Sequence, residues 1–263
     1  MKTIVLANQK GGVGKTTSSG AIGFALAAKG ARVLFVDTDA QRNLTKSVDP
    51  PRAAVTLTDL MLFGGNTVDA IAPVPEEASG KGIRADILQG ASDIGRVTAS
   101  AVPASRLRDL LQQVGGRYDY AVLDSPPAIG IMTVNAVAAA DGVVIPTVAA
   151  AHSRDGIEQF LVNLSDIQER HNPALKLLGI LITAYDGRAV IDRMVRGEIE
   201  AVASELGLPL LPVIRSTKYV REAEWLKESL LALAPKSTAA RDYMEAADMI
   251  VSRLNEATPE RSK

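Results

Sequence analysis

Between Asn8 and Thr17 the chain reads NQKGGVGKTT, a glycine-rich stretch that ends in Lys15 and two threonines. Residues of these types at this spacing bind phosphate. Glycines let the backbone turn tightly, with N–H groups pointing inward at an anion. A helix beginning there adds its positive N-terminal end. The lysine after the last glycine reaches the β- and γ-phosphates, and the next hydroxyl holds Mg²⁺. On that pattern Lys10, Gly11, Gly12, Val13, Gly14, Lys15, Thr16 and Thr17 form a nucleotide cradle, with Thr16 on the metal. The ordinary G-x-x-x-x-G-K-[ST] loop has glycine where Gln9 stands, and this loop carries an additional lysine, Lys10.

Carboxylates come from two later segments. VDTDAQRN supplies Asp37 and Asp39, and YDYAVLDSPPAIG supplies Asp124. Acids at the carboxyl ends of parallel strands lie where ligands bind in such sheets. Asp37 and Asp39 are two residues apart and point the same way on an extended strand. Asp37 either joins Asp39 in the site or closes the strand structurally.

Positioning these groups takes strands that end at the phosphate loop and helices that cover them. Short β-branched runs alternate with amphipathic helical patterns, the signal for an α/β fold. The expectation is a single P-loop domain over residues 1–254, a mostly parallel twisted sheet flanked by helices on both faces, with a polar tail over 255–263. Strands are expected at Thr3–Ala7, Arg32–Val36, Asp86–Gln89, Tyr120–Leu123, Gly142–Thr147, Leu177–Thr183 and Leu210–Val213. Helices are expected at about 16–29, with Gly30 as the stop, at 105–114 and at 238–254. A longer helix follows Gly187, with Val190, Ile191, Met194, Val195, Ile199, Val202 and Leu206 as its apolar face. The stretch 73–82 is rich in Pro, Glu, Ser and Gly and reads as a surface loop.

The composition narrows the function. Of 263 residues, 47% are hydrophobic, enough for a substantial core, and the formal net charge of −1 leaves no global basic field to recruit nucleic acid. The chain has no cysteine, which excludes disulfides, thiolate metal sites and iron–sulfur ligation. No apolar run approaches the length of a membrane span, and the start is not a signal peptide, so a soluble, cytoplasmic protein is expected.

The KGGVGKT spelling is a deviant Walker A box, and the chain resembles the ParA/MinD family of P-loop ATPases. VDTDAQRN is similar to that family's DxDPQGN, departing at Ala40 and Arg42, where Pro and Gly are usual. AVLDSPP matches its hhhDxPP Walker B. ILITAYDGR and PVIRSTKYVREAEWLKE look like its LLTMYDxR and VIPRNxxLxEAPxxGKP, with Arg215 where Pro is usual. LAPKSTAARDYMEAADMIV looks like its closing YDPxSxGAxxYxxLAxEV, so the likeness spans essentially the whole chain. Short partition ATPases without an N-terminal helix-turn-helix domain are the most similar group, since the phosphate loop begins by residue 10.

The resemblance implies ATP and Mg²⁺ as cofactors. It implies that Asp39 orients the attacking water and lies in the metal-bearing set with Thr16 and Asp124. Lys10 would reach across a dimer to the partner's phosphates, so that catalysis uses Lys10, Lys15 and Asp39. The segments around Thr183–Tyr185 and Pro212–Ser216 would line the adenine. An ATP-state homodimer would bind DNA non-specifically on the nucleoid. Arg188, Lys218 and Arg221 are the favoured contacts, drawn from a wider set that includes Arg193, Arg196, Arg215, Lys227 and Lys236. A ParB-like centromere-binding partner or cargo adaptor would stimulate hydrolysis, and the cargo would be a plasmid, a chromosome origin or a protein assembly.

Other functions fit less well. A MinD-like membrane-cycling regulator needs a bulky amphipathic C-terminal helix, whereas SRLNEATPERSK has no aromatic residue and carries Glu256, Pro259 and Glu260. A P-loop metabolic ligase or synthetase needs a second-substrate pocket, and the lack of cysteine excludes an internal cysteine-dependent glutaminase. A scaffold that only binds ATP would not need Lys15, Thr16, Asp39 and Asp124 all intact.

Overall fold

In the computed structural model, which describes residues 1–256, the strands are β1 (Lys2–Leu6), β2 (Val33–Asp37), β3 (Ile71–Pro73), β4 (Ala85–Leu88), β5 (Tyr120–Asp124), β6 (Gly142–Val148) and β7 (Lys176–Thr183). They form one seven-stranded sheet in the order β3-β4-β2-β5-β1-β6-β7. Every pairing is parallel except that of β3 with β4. Between the strands run α1 (Lys15–Ala28), α2 (Asn43–Val48), α3 (Leu57–Phe63), α4 (Glu76–Ser79), α5 (Gly95–Thr98), α6 (Arg106–Val114), α7 (Ile131–Ala139) and α8 (Ser153–His171). After β7 come α9 (Val190–Glu205), α10 (Lys218–Leu226), α11 (Leu230–Leu233) and α12 (Thr238–Asn255). The α/β class and the mostly parallel sheet agree with the sequence expectation.

Alternation along each strand sends side chains to two cores. Val5, Leu34, Val36 and Leu123 pack with Leu60, Leu107, Ala136, Phe160 and Ile199 on one face. Ile4, Leu6, Phe35 and Val122 pack with Ile22, Phe24, Tyr243 and Ile250 on the other. On that second face α1 lies close to the sheet at Gly23. A Cβ there would stand 2.1 Å from Phe35 Cε1, in a ring that is fully buried. Gly23→Ala should therefore lose about 1–3 kcal/mol by overpacking, despite the better helix propensity of alanine. Urea unfolding of the variant measures this directly.

Three expectations need correction. The 73–82 stretch is not a plain surface loop: it holds α4, with Ala78 and Ser79 buried. Ser229 fixes it, its N–H donating to the Ala78 carbonyl and its Oγ to the Ser79 carbonyl at 3.1 Å. The strand expected at Leu210–Val213 is reduced to isolated parallel bridges, Ile180 with Leu210 and Tyr185 with Arg215. Pro212 has no N–H to continue that ladder. The apolar face of α9 is buried only at Val195, Ile199, Val202 and Ala203, while Val190, Ile191, Met194 and Leu206 are all more than half exposed. The expected polar tail begins at the end of α12, and its residues 257–263 lie outside those described.

Candidate active site

The phosphate loop leaves β1 at Leu6 and closes into α1 at Lys15. Gly12 and Gly14 take φ of +72° and +77°, the left-handed region that favours glycine. At Gly14 even a Cβ would lie 3.2 Å from Thr183 Oγ1, so β7 presses on the loop from outside. Thr183 Oγ1 donates to the Val13 carbonyl at 3.0 Å, which ties the two together. Lys15 is buried, and its Nζ donates to the Lys10 carbonyl at 3.0 Å. Burial pulls its pKa down, while Asp124 and Asp39 act against that fall.

Asp124 ends β5 directly beside Asp37 at the end of β2, the two facing each other in register. Thr16 Oγ1 donates to Asp124 Oδ2 at 2.7 Å, and Ser19 Oγ to Oδ1 at 3.2 Å. Asp124 is fully buried, and burial, reinforced by Asp37, pushes its pKa up to about 7. A buried acid so unfavourably placed, with a hydroxyl already on it at the first turn of α1, is a donor set suited to a hard cation such as Mg²⁺. The residues present therefore fit the metal expected with a bound nucleotide.

Asp37 and Asp39 part company. Asp37 Oδ2 accepts from Thr45 N at 2.8 Å and from Thr45 Oγ1 at 2.7 Å, and its Oδ1 accepts from Asp39 N at 3.2 Å. It is the structural closure of β2, turned toward α2, and burial raises its pKa. Asp39 lies past the strand end, half-buried, with Oδ1 accepting the Gln41 N–H at 2.9 Å. Its Oδ2 accepts no hydrogen bond among the described residues. Lys10 reaches the Ala151 carbonyl of its own chain at 3.3 Å, an exposed contact. Gln9, which replaces the usual glycine, accepts from Asn163 Nδ2 at 3.1 Å and so anchors the loop to α8.

The two segments expected around an adenine do meet, since Ser216 N–H donates to the Tyr185 carbonyl and Ile214 N–H to the Ile182 carbonyl. The favoured basic residues lie just beyond these segments, Arg188 before α9 and Lys218 and Arg221 on α10. Arg188 pairs with Asp186 at 3.2 Å and Lys218 with Glu222 at 3.3 Å, whereas Arg221 is exposed and unpaired among the described residues. Arg196, Arg215 and Lys227 are held by Glu200, Asp242 and Asp49, respectively. Trp225, 86% exposed one helical turn beyond Arg221, carried no signal in the sequence beyond being the chain's one tryptophan.

A family model described as an AAA domain matches residues 1–177. The chromosome-partitioning ATPase Soj of Thermus thermophilus is 35% identical over 98% of both chains. This chain belongs to the ParA/MinD family of P-loop ATPases. The chromosome partitioning protein ParA of Caulobacter vibrioides is 31% identical, covering 96% of this chain and 95% of its own. Among solved structures, a cobyrinic acid a,c-diamide synthase from Mycobacterium smegmatis with bound ADP and magnesium is 32% identical, with a TM-score of 0.80 over 98% of this chain and 100% of that one. As a ParA/MinD-family protein the chain is an ATPase that uses ATP and Mg²⁺.

Within this family Arg42 is an unusual residue for its position. It caps α2 at φ +56°, where DxDPQGN has glycine. A side chain in left-handed conformation costs about 1 kcal/mol. Arg42→Gly is expected to raise stability by about that amount in urea unfolding, because it removes the strain without removing a described hydrogen bond of the side chain.

Proposed function

We propose that this chain is a partition ATPase, whose ATP-bound dimer holds DNA without sequence preference and lets go on hydrolysis. The support is the combination of full-length similarity to two chromosome-partition proteins with an intact set of phosphate-facing groups. The loop amides and Lys15 hold the phosphates and neutralise them. Thr16 and Asp124 would hold Mg²⁺, which supplies charge compensation on the phosphates when bound. Asp39 orients the water for in-line attack. Lys10 leaves its contact with Ala151 to reach the phosphates of the partner, so that hydrolysis requires two chains.

DNA would lie against Arg188, Lys218 and Arg221, contributed by both protomers. No helix among the described residues is long and apolar enough to cross a membrane. About six phosphate contacts predict an affinity that falls about 1,000-fold between roughly 50 and 200 mM salt. A gel shift series with a random-sequence duplex tests it, and a flat salt profile would refute DNA binding through this surface. Arg221→Glu should weaken the same binding most among single variants, because Arg221 is the one of the three cations with no carboxylate partner among the described residues. The synthase likeness suggests a metabolic reading, but the chain has no cysteine to serve as a glutaminase nucleophile.

A further inference from the structure

A basic cleft lies beside the segment that carries Asp39. It has a volume of about 390 Å³ and is lined by Arg42, Lys46 and Arg52, with Thr45 and Gly90 on its floor. None of the three cations pairs with a carboxylate among the described residues. The two acids on its wall are already engaged: Asp49 accepts from Lys227 at 2.7 Å, and Asp93 accepts from Arg96 at 3.1 Å and Thr58 at 2.7 Å. Among the described residues Arg42 Nε is buried without a hydrogen-bond partner, and the residue takes a left-handed backbone conformation. Guanidinium groups that line one concavity without a carboxylate partner suit phosphate oxygens, which they can bind through two parallel N–H donors.

The floor of the cleft is wired to Asp39. Gly90 N–H donates to Thr45 Oγ1 at 3.0 Å, and Thr45 Oγ1 donates to Asp37 Oδ2 at 2.7 Å. Asp37 Oδ1 in turn receives the Asp39 N–H at 3.2 Å. From the other side, Arg42 N–H donates to the Asp39 carbonyl at 3.0 Å. An occupant fixing Arg42 and the start of α2 therefore also fixes the backbone of Asp39.

We propose that the Arg42–Lys46–Arg52 cleft binds a small anion bearing phosphate groups, distinct from the nucleotide, and that its occupancy orders the segment carrying Asp39. The volume lies at the small end of ligand pockets, which favours a small phosphorylated metabolite over a strand of nucleic acid. The coupling rests on Asp39 acting in hydrolysis, but the binding does not.

The test fills the nucleotide site first. Protein saturated with a non-hydrolysable ATP analogue and Mg²⁺ is titrated with inorganic pyrophosphate by calorimetry, against a protein-free magnesium blank. The expected result is saturable uptake, weakened at least tenfold in the Arg42→Gly/Arg52→Ala double variant, whose analogue binding is unchanged. Amide exchange over residues 39–48 should slow when pyrophosphate is added. Absence of uptake by the wild type, or equal affinity in the double variant, would overturn the site. Equal exchange with and without pyrophosphate would overturn the coupling. Loss of duplex DNA binding in the double variant, with no pyrophosphate uptake by the wild type, would make the cleft part of a DNA surface and end the proposal. ATP hydrolysis by the same wild-type preparation keeps these failures separate from a failure of the ATPase reading.

Discussion

Asp39→Ala is expected to bind ATP and Mg²⁺ while hydrolysing ATP about 100- to 10,000-fold more slowly, the contribution of a positioned acid–base group. Among the described residues the carboxylate of Asp39 holds only the Gln41 N–H, so its loss leaves the neighbouring framework standing. That framework belongs to Asp37, which holds Thr45 and the Asp39 backbone, and to Asp124, which holds Thr16 and Ser19. Binding and turnover should therefore separate in this variant. Phosphate release and nucleotide titration on one preparation measure both, and hydrolysis at the wild-type rate would remove Asp39 from the mechanism.

Lys10→Ala is expected to reduce hydrolysis by about 1,000-fold or more, the scale of a charged finger supplied in trans, and to weaken ATP-dependent dimerisation. Affinity for ADP should hardly change. The reason is a division of labour within one residue. The Lys10 carbonyl receives Lys15 Nζ and so supports the loop, and alanine keeps that carbonyl. Among the described residues the Lys10 ammonium makes only an exposed contact with the Ala151 carbonyl of its own chain. Such a contact is weak enough to give up for a partner's phosphates. Light scattering with ATP and with ADP reads the association, and an ATP-state dimer that forms equally well without the Lys10 side chain would contradict a role in trans.

Much of the fold was legible because its strands are short, β-branched and bounded by turn residues. β1, β2, β4, β5, β6 and β7 lie within a residue or two of their expected bounds. β3 escaped because it has three residues, one of them Pro73. α7 was hidden for another reason: with Met132, Thr133, Asn135, Ala136, Val137 and Ala138 all buried, it shows no polar face to give it a period. α8 did carry a signal, since Ile157, Phe160, Leu164 and Ile167 recur at helical spacing and are buried. The exposure of Val190, Ile191 and Met194 on α9 was beyond periodicity, which shows that a face is apolar but not whether anything covers it.

In the site, the phosphate loop and Asp124 could be read from spacing, because backbone turn and strand end fix them locally. The choice between the two readings of Asp37 could not be made from spacing. It depends on Thr45, which α2 brings back from eight positions further along the chain. The role of Arg42 was equally out of reach. The cleft that gives it company draws Arg52 from the loop before α3 and Gly90 from the loop after β4, and only the folded chain brings these together.

The measurement that bears most directly on the central claim is co-sedimentation of Asp39→Ala with non-specific duplex DNA in the presence of ATP, ADP or no nucleotide. Sedimentation with DNA in ATP alone, lost when salt is raised, is the result expected of a partition ATPase trapped before hydrolysis. Sedimentation that is absent in every state, or equal with ATP and ADP, would contradict nucleotide control of DNA binding.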